Sequence, residues 1–158
     1  MNAGQFAHHP DAVDAAPIAD AVAVGASAGA PGRFVLSARG NHFVSDSRLA
    51  DGEAVHAGEL LLSALASCAL ANIEHNAASD GLELDALTAR ASHVRGTDDP
   101  TVYDRTLLEL EIHGPGVRDA EELAAKFVAT CPIYNTIRRG SGVELRLNGR
   151  GLAPVASE

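Results

Sequence analysis

The chain of 158 residues has two cysteines, and they stand in different surroundings. Cys68 lies within the apolar run Leu60 to Ile73, whereas Cys131 directly precedes Pro132 at the start of a short segment with helical character. A helix N-terminus stabilises a thiolate, which favours a low thiol pKa at Cys131. Cys68 has no such backbone help and needs a neighbouring cation, for which an arginine is the natural candidate. Their spacing excludes CxxC redox motifs and paired-knuckle zinc motifs, so the two thiols meet only if the fold brings them together. With Cα atoms about 4.4–6.8 Å apart, a disulfide can form and break between them, as a reductase requires. The alternative reading is that both are small hydrophobes in a core.

The elements that must position these thiols follow from period and punctuation. A helix is predicted from Gly58 or Glu59 to about Ser79, with Glu59 in its first turn, where a negative charge suits the dipole, and Asp80-Gly81 as its stop. Leu, Ala, Ile and Cys occupy nearly its whole circumference, so it belongs inside something. Before it, Ala21 to Val24 and Arg33 to Ala38 read as two short strands of a hairpin across a Gly-rich turn, and Asn41 to Ser45 as a third strand. After it, Leu84 to Arg95 and Val102 to His113 read as two long strands; in the second, Leu108, Leu110 and Ile112 alternate with Glu109, Glu111 and His113. A second helix is expected from about Asp119 to Thr130. Pro132 then suits the first position of a short helix capped by Cys131 and ended by Gly140, and Val143 to Leu147 reads as a last strand. The expected fold class is α+β, an antiparallel sheet packed on two main helices. Residues 1–20 read as an extended or disordered arm, 21–148 as one domain, and 149–158 as a tail.

Composition narrows the function. Twelve basic against twenty-one acidic side chains give a net charge of −9, which repels phosphate backbones and anionic lipid surfaces, so neither nucleic acid nor membrane is expected as a partner. The apolar run of about fourteen residues is short for a bilayer span. The first residues lack both a basic region and an apolar core of a secretory signal, and a cytoplasmic location is expected. There, two cysteines point to redox or catalytic chemistry more than to a structural bridge. The pair His8-His9 has no further ligands nearby and reads as part of the arm rather than a metal site.

The stretch Glu59-Leu60-Leu61-Leu62-Ser63-Ala64-Leu65-Ala66-Ser67-Cys68, followed by Cys131-Pro132-Ile133, resembles the paired signatures of the OsmC/Ohr family, the osmotically inducible and organic hydroperoxide resistance proteins. Asn41 to Asp46 is similar to the family's strand that ends in Asp before a Gly-containing loop, and the resemblance extends from roughly Arg33 to Leu147. It implies an OsmC-like fold in an intertwined homodimer whose central helices are buried against each other. It also implies a stress-response peroxidase acting on organic hydroperoxides. In that scheme the position of Cys68 is the peroxidatic thiolate, which becomes a sulfenic acid, and the position of Cys131 resolves it as a disulfide. An external dithiol, lipoyl-type in the hydroperoxide branch, reopens the disulfide, with no metal or bound cofactor.

Further positions come from the resemblance and from the chain's own spacing. Most relatives have proline where this chain has Ala57, and the hydroperoxide branch has its functional carboxylate where this chain has Gly58. Glu59 is the carboxylate on offer, but it sits roughly 180° around the helix from Cys68, and a plain first-turn charge is the alternative. The family's arginine has three candidates, Arg33, Arg39 and Arg48, of which Arg39 is favoured because it opens the strand-like stretch to Asp46; a surface ion pair is the alternative for each. His75, nearly on the Cys68 face, is a candidate proton donor or a plain surface histidine. Arg138 and Arg139 read as complements to a helix dipole. A second reading keeps the fold as a small-molecule binding protein without peroxidase turnover.

Overall fold

The computed structural model describes residues 21–47 and 52–152. The arm expected over residues 1–20, with His8 and His9, lies outside the described residues, as do Arg48 and residues 153–158.

The first three strands form a sheet of their own. β1 (Ala23–Ser27), β2 (Arg33–Ala38) and β3 (Asn41–Asp46) pair antiparallel in that order. β1 runs further into the Gly-rich segment than expected. An edge strand is held by backbone hydrogen bonds, which Gly25, Ala26 and Ser27 supply as well as any residue, and the turn needs only the short stretch to Arg33, with Gly29 and Gly32 at positive φ. Phe34, Val35, Phe43 and Val44 remain exposed, and among the described residues no helix packs broadly over this sheet.

α1 (Ala57–Asp80) is the central helix. It begins one residue before the predicted range, because the His56 ring accepts from the Glu59 N–H at 3.4 Å while the Glu59 carboxylate accepts from the His56 N–H at 3.0 Å. This capping box satisfies two N–H groups that the helix geometry would leave free. At the other end Gly81 takes a φ of 70°, and its N–H and that of Leu82 return to carbonyls of the last turn. One stripe, Leu65, Ala69, Ile73 and Ala77, is buried against the second sheet and α2. Leu61, Ala64, Ser67 and Ala71 are exposed on other faces. α1 is long and apolar enough to cross a membrane, a test that core helices also pass.

The second sheet holds β4 (Ala86–Arg95), β5 (Tyr103–His113), β6 (Gly142–Leu147) and the two-residue strand β7 (Arg150–Gly151), in that order. Leu108, Leu110 and Ile112 of β5 are buried with Leu145 and Leu147 of β6, as their alternation predicts. β5 and β6 pair parallel, unlike the other neighbours. The reason is connectivity: α2 (Val117–Thr130) and α3 (Pro132–Gly140) carry the chain from the end of β5 back to its start, and such a crossover imposes a parallel neighbour. The fold is therefore α+β, with two sheets and three helices among the described residues. Its core lies between α1, α2 and the second sheet, around Phe127, Leu65, Ile73 and Leu108.

Candidate active site

The site is built at the break between α2 and α3. Cys131 ends one helix and caps the next: its N–H returns to Phe127 O at 2.9 Å, and its φ of −75° and ψ of 115° turn the chain before Pro132. Proline at the first position of α3 removes one N–H and leaves those of Ile133 and Tyr134 without intrahelical partners. Both are used by sulfur. The Tyr134 N–H donates to Cys131 Sγ at 3.4 Å, and the Ile133 N–H acts on Cys68 Sγ. Asn135 fixes the break, its side-chain amide donating to the carbonyls of Val128 and Cys131, each at 3.0 Å.

α1 brings Cys68 to the same place. Its thiol is within hydrogen-bonding reach of Cys131 Sγ, and both cysteines are reduced. Cys131 is fully buried and Cys68 partly so. The helices meet beside the pair through Asn72 Nδ2, which donates to Thr130 Oγ1 at 3.0 Å. Burial pushes the Cys68 thiol up to about 11; the hydrogen bond to Cys131 and the negative charge that Cys131 can carry add to this, and the Ile133 N–H opposes them. Among the described residues, no arginine or lysine takes part.

The other predicted residues lie elsewhere. Arg39 does not open β3 but occupies the turn before it, exposed and with a φ of 56°. Arg33 lies at the opposite end of β2, roughly 20 Å away along the strand, and is engaged. It donates to Asp46 through Nε at 2.9 Å and Nη2 at 3.2 Å, and to Glu53 at 2.5 Å. These bonds raise the Arg33 pKa and hold the buried Asp46 carboxyl below its ordinary range, helped by the Ala54 N–H and opposed by burial. Glu59 is committed to the α1 capping box, about 14 Å along the helix from Cys68. His75 is exposed, roughly 10 Å beyond Cys68.

Gly58 stands where space is short. A Cβ there would lie 3.1 Å from the Tyr103 hydroxyl, 3.2 Å from His56 Cε1 and 3.3 Å from His93 Cε1, so any side chain at this position must displace an aromatic neighbour. Among the described residues, no cluster of three or more His, Cys, Asp or Glu is placed to hold a metal ion.

Sequence reasoning singled out both thiols but missed the two N–H groups that serve them. The signal was present in Cys131-Pro132, since a cap followed by proline leaves the next two N–H groups of α3 to find other acceptors.

This architecture recurs in solved structures. An OsmC-like protein from Mycoplasma pneumoniae is similar with a TM-score of 0.70 at 20% identity, covering 82% of this chain and 94% of that one. An organic hydroperoxide resistance protein OsmC from Legionella pneumophila has a TM-score of 0.66 at 19% identity, covering 84% of this chain and 98% of that one. The organic hydroperoxide resistance protein OhrB of Bacillus subtilis has a TM-score of 0.61 at 18% identity, covering 81% and 97%. No curated protein matches the chain in sequence. The profile of OsmC-like proteins matches residues 50–146, which contain both cysteines and every helix described above, and the chain belongs to the OsmC-like protein family.

Proposed function

We propose that the chain is a thiol-dependent peroxidase that reduces organic hydroperoxides. The observation that carries this reading is the meeting of Cys68 and Cys131, from distant parts of the chain, at the N-terminus of α3. Cys68 thiolate attacks the terminal oxygen of ROOH and breaks the O–O bond; the alkoxide takes a proton and leaves as ROH, and sulfur is oxidised to the sulfenic acid. Cys131 sulfur then displaces the hydroxyl, which leaves as water, and the Cys68–Cys131 disulfide forms. An external dithiol, of lipoyl type or similar, returns both thiols and is itself oxidised to a disulfide. The backbone of α3 supports both sulfurs while they carry charge.

The chain acts as a homodimer in this reading. The exposed Phe34, Val35, Phe43 and Val44 of the first sheet and the small exposed residues of α1 give a second copy two apolar surfaces to cover. It works in the cytoplasm, where a reduced dithiol pool is available. A cation for Cys68, which none of the described residues of its own chain supplies, then comes across the dimer, with Arg39, exposed and unpaired among the described residues, as the candidate.

The test is consumption of cumene hydroperoxide by the purified chain with dihydrolipoamide or dithiothreitol. Wild-type protein is expected to turn over, Cys68→Ser to be inactive, and Cys131→Ser to stop after one equivalent of peroxide. No consumption with any dithiol, or full consumption by Cys68→Ser, refutes the proposal. One observation favours a second reading, a binding protein without turnover: Cys68 is held protonated in the single chain. A stoichiometric apolar ligand that survives purification, with no peroxide consumption, selects it.

A further inference from the structure

A groove of about 490 Å³ lies between α2, α3 and β6, and neither cysteine lines it. Its walls are apolar, with Ala124, Val128, Val143 and Leu145 among them, and its size is that of a small-molecule site. Two polar groups at one end have no partner. The Tyr134 side chain is 4% exposed, its ring packs edge-on against Phe127, and its hydroxyl makes no hydrogen bond among the described residues. Arg138, one turn further along α3, is half-buried and has no carboxylate partner among the described residues. Its charge acts on the Tyr134 phenol, so the two groups sit together.

The remaining charges do not satisfy Arg138. Glu144 accepts from Arg146 at 2.8 Å and from Arg105 at 3.5 Å. Glu121, exposed on α2, lines both this groove and a smaller hollow with Leu147 and Arg150, and makes no ion pair with Arg138 among the described residues. One end of an apolar groove therefore presents a guanidinium and a phenol O–H, both donors without acceptors. Both reach the groove, and a guanidinium beside a phenol is well suited to bind a carboxylate.

We propose that this groove binds a small apolar monocarboxylate, its aliphatic or aryl body on Val128, Val143 and Leu145 and its carboxylate on Arg138 and the Tyr134 hydroxyl. The site is separate from the thiol pair, yet it shares α3 with it: the N–H of Tyr134 holds Cys131 Sγ while its side chain lines the groove. A bound carboxylate thus rests on the helix whose first turn supports both sulfurs.

The test is calorimetric titration of the full chain with sodium decanoate, with 1-decanol and decylamine as probes of the same body and different heads. Decanoate is expected to bind saturably at one per chain below roughly 1 mM. Arg138→Gln, on the last turn of α3, is expected to weaken decanoate about tenfold and Tyr134→Phe a few-fold, with decanol unchanged by either. Ala125→Trp, which fills the groove from its exposed rim, is expected to abolish binding while the melting temperature holds. Equal binding of decanoate and decanol, or no effect of Arg138→Gln, overturns the proposal. It falls equally if no ligand binds and Ala125→Trp instead changes the sedimentation of the chain, because the groove is then a contact between copies. Peroxide consumption enters none of these readouts, so failure of the proposed activity leaves this test intact.

Discussion

Replacing Cys131 by alanine is expected to make Cys68 more reactive, although it removes the other half of the redox pair. The reasoning starts from what holds the proton on Cys68. With a thiol pKa pushed up to about 11, on the order of one Cys68 in ten thousand is a thiolate at pH 7. Two of the three influences that raise it come from Cys131, as hydrogen-bond acceptor and as negative charge; only burial is independent of that residue, and the Ile133 N–H works against burial. Alanine at 131 removes both, and Cys68 returns toward the ordinary thiol range.

The thiolate fraction near neutral pH then rises, by at most roughly a hundredfold because burial, the largest influence, remains. A thiolate of lower pKa is also a weaker nucleophile, with a Brønsted slope of about 0.4–0.5, so the net gain in alkylation rate is at most about tenfold. The assay is pseudo-first-order carbamidomethylation with iodoacetamide near pH 7, read for the Cys68 peptide alone by mass spectrometry. Cys131 is fully buried, so the variant loses about 1 kcal/mol of packing, and its melting curve sets the temperature at which rates are compared. A Cys68 rate equal to or below that of wild type refutes the reasoning, because the two sulfurs then do not share a proton.

Two further predictions bear on the first sheet. Phe43→Asp places a charge on the face expected to meet a second copy; across a two-fold interface the lost burial is about 3–6 kcal/mol, so the dimer is expected to weaken at least a hundredfold in analytical ultracentrifugation while the monomer keeps its secondary structure. Wild-type protein sedimenting as a monomer, or Phe43→Asp leaving a dimer intact, counts against the assembly. Arg33→Ala removes the partner of buried Asp46, whose folded pKa is depressed, so its contribution to stability is present above the ordinary carboxylate pKa and lost as pH falls through the folded value. The acid-unfolding midpoint followed by circular dichroism is expected to move to higher pH in the variant, and an unchanged midpoint contradicts the role given to this ion pair.

How far the sequence reveals this molecule depends on whether a feature is local. The α1 stop at Gly81, the alternation in β5 and the helix after Cys131-Pro132 are all legible, because each is decided within a few residues by backbone geometry or period. The parallel pairing of β6 is not, since Val143, Leu145 and Leu147 declare a buried face but carry no record of strand direction. Neither is the Arg33 pairing. Arg33 and Asp46 face each other only because β2 and β3 share a register set by a two-residue turn, and Arg39, which sequence reasoning placed at a strand start, is consumed by that turn. Glu59 illustrates a third case, in which the charge was read but not its partner: the dipole explains a carboxylate in the first turn, and only the fold shows that His56 completes a capping box with it.

The chain as folded has needs that one event would meet. Cys68 lies beside the first turn of α3 but holds a proton that, on the proposed reading, it must lose to attack a peroxide, and among the described residues no guanidinium acts on it. Meanwhile the first sheet keeps its phenylalanines in water and carries an exposed arginine at its turn. Covering such a sheet on a second copy buries apolar surface, at about 25 cal/mol per Å², and any cation carried with it into a partly desolvated site acts on the thiol more strongly than in water. On the reading proposed here the assembly is therefore part of the chemistry: a variant that disrupts the sheet contact should lose peroxide turnover together with the dimer, while each folded monomer keeps its two sulfurs paired and its Cys68 protonated.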